Sequence, residues 1–526
     1  MSPPSSKKTS AIAWQQYWGI GVPLLFFGIV ACIIPIAQVF EFDRDEGIEL
    51  VKVALMHQGY VLYDQIWDDQ PPVLTLLLQV WLNFFGSSVL AARLLTLSLA
   101  SLLVGAFFNS LRLVVGLRPA LIGTMGLCLT LNFVRLSVSV MRGLPALALA
   151  MGAIYLLVWV TQPRSSTALT ARSPYFGVQP WQTYVGILSS GCCFGLSLQT
   201  KFYTALLLPA CLVQIGLGWG GWRWPLKNRT ERIGLMSLWL ITCAATTLTI
   251  GLFTHAFHWE QLFGAHFDGA TQKALQGQPS WQVLLIFLVQ DIDAVLLAGF
   301  GTWTLLRQRR QWPILPLVWL ICVVVGLLSY RPLWYHYYPL ISVPIMWLAV
   351  YGLSQFQPNG SQPWYRHLLQ GVRAKSAFSR WLARAILLAI ALVPIKLAVV
   401  SVSPWFYVQD SPPKFATVQH LKTFAPATRW LFTDLPMYAF YAGLNVPPEL
   451  AVFSTKRIES GNLSPKVMQQ LLATYRPEQI ALSRDRNLAP QLEPYLSQHY
   501  ALHYKNDTIA QYLRRNRFLS VPSVAP

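Results

Sequence analysis

The sequence predicts an α-helical polytopic membrane protein with about 11–13 transmembrane helices, juxtamembrane helices and a small C-terminal extracytoplasmic α/β domain. Of the 526 residues, 54% are hydrophobic and only 12% are charged, which is typical of integral membrane proteins and not of soluble enzymes. Apolar runs of bilayer length recur along the first 400 residues or so. The 21 tryptophans and 21 tyrosines suit the membrane–water interfaces, where aromatic side chains concentrate.

The predicted spans follow one another with short connections. They are 17–40, 88–111, 119–140, 143–162, 183–200, 202–220, 233–254, 281–305, 313–329, 334–356 and 384–402. The first run is too long for a signal peptide and lacks a small-residue cleavage site, so we expect it to be retained. Pro71–Phe85 is too short to cross a bilayer comfortably and predicts a juxtamembrane helix on the outer face.

The basic residues indicate the orientation of the chain. If the spans alternate strictly in direction, six connecting segments lie on one side of the membrane. Together these segments hold 18 Lys/Arg but only one acid, Glu231. The segments are 1–16, 112–118, 163–182, 221–232, 306–312 and 357–384. Such a bias marks the cytoplasmic side. The net charge of +19 is therefore mainly a topology signal, and we expect no nucleic-acid binding. The predicted location is the inner (plasma) membrane, multi-pass, with the N-terminus cytoplasmic and the C-terminal domain extracytoplasmic.

Three regions are predicted: a cytoplasmic N-terminal tail over 1–16, a transmembrane unit over 17–404 whose first outer loop is 41–86, and an outer α/β domain over 405–526. The last region alternates helical and strand-like patterns. We predict helices at Pro413–Phe424, Pro465–Tyr475 and Leu488–Tyr500, and strands at Arg429–Thr433, Gln479–Ser483 and Tyr500–Lys505. All seven cysteines fall inside predicted spans, so no disulfide framework is expected outside.

The first outer loop carries an unusual density of acids. Residues 41–70 hold eight of the 21 carboxylates in the chain. Apolar residues at helical spacing from Glu46 to Gln58 predict an amphipathic helix on the membrane surface, with Asp45 as its N-cap and ionised. A fixed carboxylate at this interface is well placed to take a proton from a hydroxyl; the alternative is that Asp45 only caps the helix.

The same loop contains a second acidic group, followed by a pair of prolines that starts the next helix. Its members are the three acids Asp64, Asp68 and Asp69, and the polar Gln70 follows them. These side chains are predicted to line a cavity shared with the first group, although loop acids can also be plainly solvated.

Isolated cations lie in apolar surroundings on the predicted outer side: Arg93, Arg142, Lys201, Arg331 and His336. Ionisable groups in a membrane are functional candidates, because desolvation is costly without a partner. Snorkelling to the interface is the alternative for each. Their convergence near the acidic loop predicts an anionic ligand such as the phosphate of a lipid, with Arg93 in the cavity wall. Lys396, late in the last span, is predicted to be an ordinary interfacial lysine.

The loop 254–280 contains His255, His258, His266 and Asp268. Their spacing is compatible with metal ligands, but no cysteine or supporting pattern accompanies them. We favour a polar gate over the mouth of the site and predict no metal site.

Taken in order, these motifs resemble a known family. They are the acidic loop after the first span, Tyr63-Asp64-Gln65-Ile66-Trp67 before Pro71-Pro72, Ala-Ala-Arg at Arg93, Thr200-Lys201 and His336-Tyr337-Tyr338. In this order they are similar to motifs of the C-type polytopic glycosyltransferases that use polyprenyl-phosphate sugars. Protein O-mannosyltransferases and lipid A aminoarabinose transferases are the members it resembles most. The likeness covers nearly the whole chain and is strongest over Phe42–Arg93.

The resemblance implies roles for particular residues. Asp45 matches the catalytic carboxylate, with Glu46 beside it. Lys201, Arg331 and His336 match positions that would surround the lipid phosphate. Arg142 and Tyr337 are predicted to take part in donor binding as well. Many relatives have Lys-Pro-Pro where this chain has Gln70-Pro71-Pro72, which removes one cation from the expected site.

The predicted function is transfer of a sugar from a polyprenyl-phosphate donor to an acceptor hydroxyl at the outer membrane face, with inversion and with Asp45 as general base. No cofactor is expected beyond the lipid-linked donor, and the partners are membrane lipids, this donor and an acceptor that is a lipid, glycan or protein. Two alternatives stay open. A flippase or transporter of lipid-linked sugars would share the spans and buried cations, and a sensor or scaffold would present the outer domain without chemistry.

Overall fold

The fold comes from a computed structural model that describes residues 7–162, 179–219, 229–258, 260–264, 279–307, 312–330, 332–355, 364–374, 376–486 and 488–518. Up to Gln409 the described chain is almost entirely helical. Its α-helices are Lys7–Ile33, Asp45–His57, Val73–Phe85, Val89–Val115, Leu117–Cys128, Phe133–Val138, Gly143–Val160, Pro180–Leu198, Leu208–Leu217, Arg229–Phe253, Ser280–Gln290, Ile292–Arg307, Leu315–Leu328, Pro339–Leu353, Trp364–Val372 and Ala377–Gln409. Short 3₁₀ turns at Phe202–Leu207 and Tyr335–Tyr337 and a π-helical turn at Glu260–Gly264 complete this part.

Four of the described helices are long and apolar enough to cross a membrane alone: Val89–Val115, Gly143–Val160, Arg229–Phe253 and the helical stretch that begins at Ala377. A fifth results if Ser280–Gln290 and Ile292–Arg307 count as one bent span. Most other predicted spans coincide with shorter apolar helices. A membrane protein with several apolar helices is therefore confirmed, while the number of about 11–13 spans stays a prediction.

Two predicted spans are interrupted. The run 119–140 breaks after Cys128 and resumes at Phe133, with Thr130 bonding back to the Leu127 carbonyl at 2.8 Å. The run 281–305 bends by 91° at Asp291, between two helices. An apolar run in sequence does not specify one straight helix, because side chains and neighbouring helices can satisfy the freed backbone groups.

The ammonium of Lys396 is buried and ion-paired, so Lys396 is not the snorkelling lysine that was predicted. Its side chain is buried in the helix Ala377–Gln409, and Nζ lies 2.7 Å from Oδ1 of both Asp291 and Asp293. The two carboxylates sit at the 91° bend and in the turn after it. Their charge compensates the desolvation of the lysine, which sequence alone could not pair with residues a hundred positions away.

The helices divide into a core and a periphery. Val89–Val115 and Gly143–Val160 are mostly buried, whereas Arg229–Phe253 and Ala377–Gln409 expose most of their apolar surface, as expected for helices that face lipid. Within the core, a Cβ added to Gly301 would lie 1.8 Å from the Leu348 carbonyl oxygen. The helices Ile292–Arg307 and Pro339–Leu353 therefore cross with their backbones in contact, a packing that small residues permit.

After Gln409 the chain forms a unit that we call the tail, residues 410–518, which contains a four-stranded sheet. The strands are β1 Leu431–Thr433, β2 Gln479–Ser483, β3 Tyr500–Lys505 and β4 Ile509–Arg514, in the order β1-β2-β4-β3. The β1–β2 pair is parallel and the other pairs are antiparallel. The α-helices of the tail are Ser411–Thr423, Pro436–Ala442, Thr455–Glu459, Pro465–Tyr475, Leu488–His499 and Arg515–Phe518.

Most tail elements match the sequence prediction, but β4 was missed and the boundary differs. The predicted limit at residue 404 falls inside the helix Ala377–Gln409, which continues past Pro404. The C-terminal α/β character is present in the described residues, while its place on the outer side of the membrane stays a prediction.

The helix Asp45–His57, which we call the acidic helix, lies between the membrane helices and the tail. Residues on several of its sides are buried, among them Glu46, Glu49 and Lys52, so it does not lie on a membrane surface as predicted. A Cβ added to Gly47 would lie 2.3 Å from the backbone nitrogen of Met437. Only glycine allows the tail helix Pro436–Ala442 to approach so closely, and this contact positions the tail beside the acidic loop.

Candidate active site

A cavity of about 690 Å³ lies where the first outer loop, the membrane helices and the tail meet. The residues of its lining that bear on chemistry are Asp43, Asp45, Glu49, Lys52, Asp68, Asp69, Gln70, Arg142, Lys201, His336, Tyr337, Asp434, Lys456 and Arg486. Segments far apart in sequence thus share one space. In particular, Asp45 and His336 face the same cavity and are not separated by the membrane.

Asp45 is the first residue of the acidic helix and does not cap it. The N-cap position is Arg44, and the backbone N–H of Asp45 donates to Oδ1 of Asp43 at 2.9 Å. Among the described residues, none donates a hydrogen bond to the Asp45 carboxylate, whose side chain is exposed to the cavity. Enclosure by the surrounding protein raises the pKa of Asp45, and the charge of Lys201 opposes that rise. The carboxylate is available to a substrate and more basic than an ordinary aspartate.

Asp43 is a second carboxyl group beside Asp45, and sequence reasoning did not single it out. It accepts hydrogen bonds from the backbone N–H of Asp45 and from the Tyr335 hydroxyl. Burial, followed by the negative charge of Asp45, raises its pKa to about 7. The Arg135 guanidinium stacks 3.9 Å from the Tyr335 ring centre and partly offsets this rise. Asp43 therefore ties the acidic loop to the segment that carries His336.

Lys201 and His336 lie together on the cavity wall. Lys201 Nζ is 3.3 Å from His336 Nε2, and it lies over the rings of Tyr203 and Tyr337 at 5.2 and 5.4 Å from their centres. Burial lowers the pKa of Lys201 to about 8. A protonated Lys201 has no acceptor atom, so its ammonium donates in this contact and His336 Nε2 accepts.

Arg142 belongs to a buried ionic cluster that holds the two halves of the acidic loop together. Its guanidinium donates to both oxygens of Glu49 at 2.6 and 3.1 Å, to Asp68 at 2.9 Å and to the Pro71 carbonyl at 2.5 Å. Lys52 donates to the same two carboxylates at 3.0 and 2.8 Å. Although burial alone would raise the pKa of Glu49, these two cations lower it to about 2. Because these contacts occupy every nitrogen of its guanidinium, the predicted direct contact of Arg142 with a lipid phosphate is not supported.

Glu46 and Arg93, predicted as a catalytic neighbour and a cavity-lining residue, both lie outside the lining. They form a buried pair, with Arg93 Nε and Nη2 donating to the two Glu46 oxygens at 3.2 and 2.7 Å. Arg93 also donates to backbone carbonyls of residues 36, 39 and 40. Glu46 in turn accepts from the backbone N–H groups of Phe42 and Val140. With their hydrogen-bonding groups used in this way, they position the loop and cannot touch a substrate.

The remaining predicted residues divide between the lining and other places. Asp68, Asp69, Gln70 and Tyr337 lie in the lining, whereas Asp64 does not. Instead, Asp64 lies 3.3 Å from His255 Nδ1 and 3.6 Å from His258 Nε2. Arg331, His266 and Asp268 lie outside the described residues. Within the described part of the chain, no three histidine, cysteine or carboxylate side chains are arranged to hold a metal ion.

The tail contributes a wall that sequence reasoning did not foresee. Asp434, Lys456 and Arg486 line the cavity together with apolar residues such as Phe453. Arg486 lies 3.8 Å from Asp434 and donates to the Phe453 carbonyl at 3.2 Å. No local motif marks these positions, because they meet the acidic loop only through the fold of the tail.

Comparison with solved structures shows the same fold in two glycosyltransferases. The chain is similar to ArnT from Cupriavidus metallidurans, a lipid A aminoarabinose transferase whose structure was solved with bound undecaprenyl phosphate. The two share 13% sequence identity with a TM-score of 0.62, and the match covers 95% of this chain and 98% of ArnT. Its apo structure gives a TM-score of 0.59. The Archaeoglobus fulgidus oligosaccharyltransferase, tethered with an acceptor peptide, gives 0.51 at 11% identity, covering 95% of this chain and 74% of the enzyme.

No family model and no curated protein matches the sequence. The resemblance to the C-type glycosyltransferases is nevertheless confirmed at the level of the fold, and over almost the entire chain. At such low identity this likeness establishes architecture, so the chemistry has to be argued from the site itself.

Proposed function

We propose that this protein is a membrane glycosyltransferase that moves a sugar from a polyprenyl-phosphate donor to an acceptor hydroxyl at the outer face of the plasma (inner) membrane. The observation that carries the proposal is the placement of Asp45 and Lys201 on one cavity at the end of the membrane helices. A base for the acceptor and a cation for the departing phosphate are the two groups this reaction needs. The shared fold with ArnT, solved with undecaprenyl phosphate, supports the donor class.

Asp45 is the group best suited to act as general base. Asp43, the neighbouring carboxyl, is engaged by Tyr335 and by the backbone of the acidic helix. The Asp45 carboxylate has no such donor among the described residues, and its raised pKa makes it a better proton acceptor. An acceptor hydroxyl positioned by Asp45 would attack the anomeric carbon from the side opposite the phosphate, which inverts that centre.

Lys201 is the group best suited to stabilise the phosphate as it leaves. No carboxylate of the described residues lies within 4 Å of its ammonium, so this charge is available to an anion. The enclosed surroundings strengthen the attraction relative to water. His336 accepts a hydrogen bond from the Lys201 ammonium and keeps it directed along the wall.

The cavity also has an apolar side next to Lys201, where a prenyl chain can lie. Phe202, Leu206 and Leu327 belong to the lining at this point. They come from the turn after Lys201 and from the end of the helix Leu315–Leu328. A donor with its phosphate at Lys201 would therefore extend its lipid into the membrane-embedded part of the protein.

The test incubates the purified full chain with a donor, either undecaprenyl-phosphate mannose or undecaprenyl-phosphate aminoarabinose, and with membrane-lipid or glycan acceptors. The measured quantity is the undecaprenyl phosphate that is released. Asp45→Asn should reduce release by about 10²- to 10⁴-fold while undecaprenyl phosphate still binds. Asp507→Asn, at a fully exposed tail carboxylate, is the matched control. If Asp45→Asn transfers sugar at the normal rate, Asp45 is not the base. If the protein moves lipid-linked sugar across vesicles without releasing phosphate, it is a transporter and the proposal is wrong.

A further inference from the structure

The tail is held against the acidic loop by contacts that fix it beside the cavity. Gln58 Nε2 donates to Asn445 Oδ1 at 2.7 Å, and Lys414 Nζ lies 3.1 Å from Glu41 Oε1. With the glycine contact at Gly47, these interactions join the two units at several separate points. The tail residues of the lining are therefore part of the site and not an independent surface.

One of these tail residues, Lys456, shares the cavity lining with Lys201 and contacts a tyrosine of the membrane unit. It belongs to the short helix Thr455–Glu459, and its ammonium lies 3.5 Å from the Tyr330 hydroxyl. The Tyr330 ring packs edge-on against Tyr337 at 5.9 Å, and Tyr337 in turn lies under Lys201. Lys456 and Lys201 thus flank the same pair of tyrosines from opposite units.

We propose that Lys456 is a second phosphate ligand, so that the phosphate of the lipid-linked donor binds between Lys201 of the membrane unit and Lys456 of the tail. This inference rests on the proposed function and assigns the tail a direct part in donor binding. The step involves only non-covalent binding: both ammonium groups donate hydrogen bonds to phosphate oxygens before and after the sugar leaves.

The charges of the cavity favour an anion at this position. The cations of the buried cluster, Lys52 and Arg142, are matched by carboxylates at 2.6–3.0 Å. Lys201 has no such partner among the described residues, and Lys456 adds a second positive charge that lowers the pKa of Lys201 further. A phosphate between the two lysines would relieve their mutual repulsion, and lysine is a common point-charge ligand for phosphate.

The experiment measures equilibrium binding of undecaprenyl phosphate and of uncharged undecaprenol to the purified full chain in nanodiscs. Lys456→Gln should weaken binding of undecaprenyl phosphate about tenfold and leave undecaprenol binding unchanged. Lys456→Arg should restore most of the affinity, because it keeps the charge. Lys466→Gln, at an exposed lysine of the next tail helix, is the matched control and should bind both lipids like the parent.

The outcomes separate this inference from the proposed function. If the parent prefers undecaprenyl phosphate to undecaprenol but Lys456→Gln binds it equally well, the assignment of Lys456 is wrong and the donor site stands. The same conclusion follows if Lys456→Gln raises only the KM for the acceptor. If the parent shows no preference for the phosphate, the donor class proposed for this protein is itself overturned. Equal thermal stability of Lys456→Gln and the parent ensures that a loss of binding reflects the missing charge.

Discussion

Glu46 and Arg93 form a buried two-point ion pair whose remaining hydrogen-bonding groups are occupied by the backbone. Through this pair the first turn of the acidic helix is tied to the helix Val89–Val115 and to the loop at Val140. The residue directly before Glu46 is Asp45, so the pair determines where the proposed base stands. Motion of only about an ångström at this turn would misplace the carboxylate relative to an acceptor.

We expect Arg93→Met to destabilise the protein strongly, because it leaves the Glu46 carboxylate buried without its cation. Removing one partner of a buried pair typically costs about 3–5 kcal/mol. The measurement is thermal unfolding of the purified protein in detergent. The double substitution Glu46→Gln with Arg93→Met should be more stable than Arg93→Met alone, since no buried charge is then left. Additive effects of the two changes would contradict the described pairing.

The rate of sugar transfer should pass through a maximum with pH, falling on the acid side (the acid limb) and on the alkaline side (the alkaline limb). Asp45 must be ionised to act as base, and because its pKa is raised, activity is lost on acidification at a higher pH than for an ordinary aspartate. Lys201 must stay protonated, so activity is lost as pH rises through its pKa of about 8.

The check is kcat/KM measured from about pH 5 to about pH 10 for the parent and for Lys201→Arg. An arginine stays charged over this range, so the variant should keep the acid limb and lose the alkaline limb. An alkaline limb that persists unchanged in Lys201→Arg would show that another group produces it.

We expect Lys396→Met to lower the free energy of unfolding by an amount on the order of 3–5 kcal/mol, because it leaves Asp291 and Asp293 buried without their cation. Lys396→Arg, which keeps the charge, is the control. The KM for a polyprenyl-phosphate donor should change little in protein that is still folded, because the ion pairs lie outside the cavity lining. If Lys396→Met and the parent protein have the same unfolding temperature, these ion pairs do not stabilise the bend.

Much of the fold could be predicted from hydrophobic patterns, because these patterns are local. The helices found at Val89–Val115, Gly143–Val160 and Pro465–Tyr475 lie almost where periodicity places them. The 91° bend at Asp291 could not be predicted, since the apolar run continues through it. Asp291 at this bend contacts Lys396, which lies more than a hundred residues further along the chain.

The site was predictable to a similar extent. Composition alone marked the acidic loop as unusual, and the structure brings Asp45, Lys201 and His336 to one cavity. Sequence could not tell which charges bind each other. Arg142 and Glu46 resemble catalytic candidates until their partners are known, and Lys456 has no distinguishing local pattern. Pairing between distant segments is a property of tertiary structure, so local sequence patterns do not reveal these roles.

The acidic helix is enclosed by buried ion pairs on the membrane side and by the Gly47–Met437 backbone contact on the tail side. Such a helix has little freedom to adjust to different substrates. Evolution toward a new acceptor would then proceed through the apolar and polar residues of the tail wall, such as Phe453, and leave the proton-accepting helix unaltered. We expect proteins of this architecture to differ most in their tails when their acceptors differ.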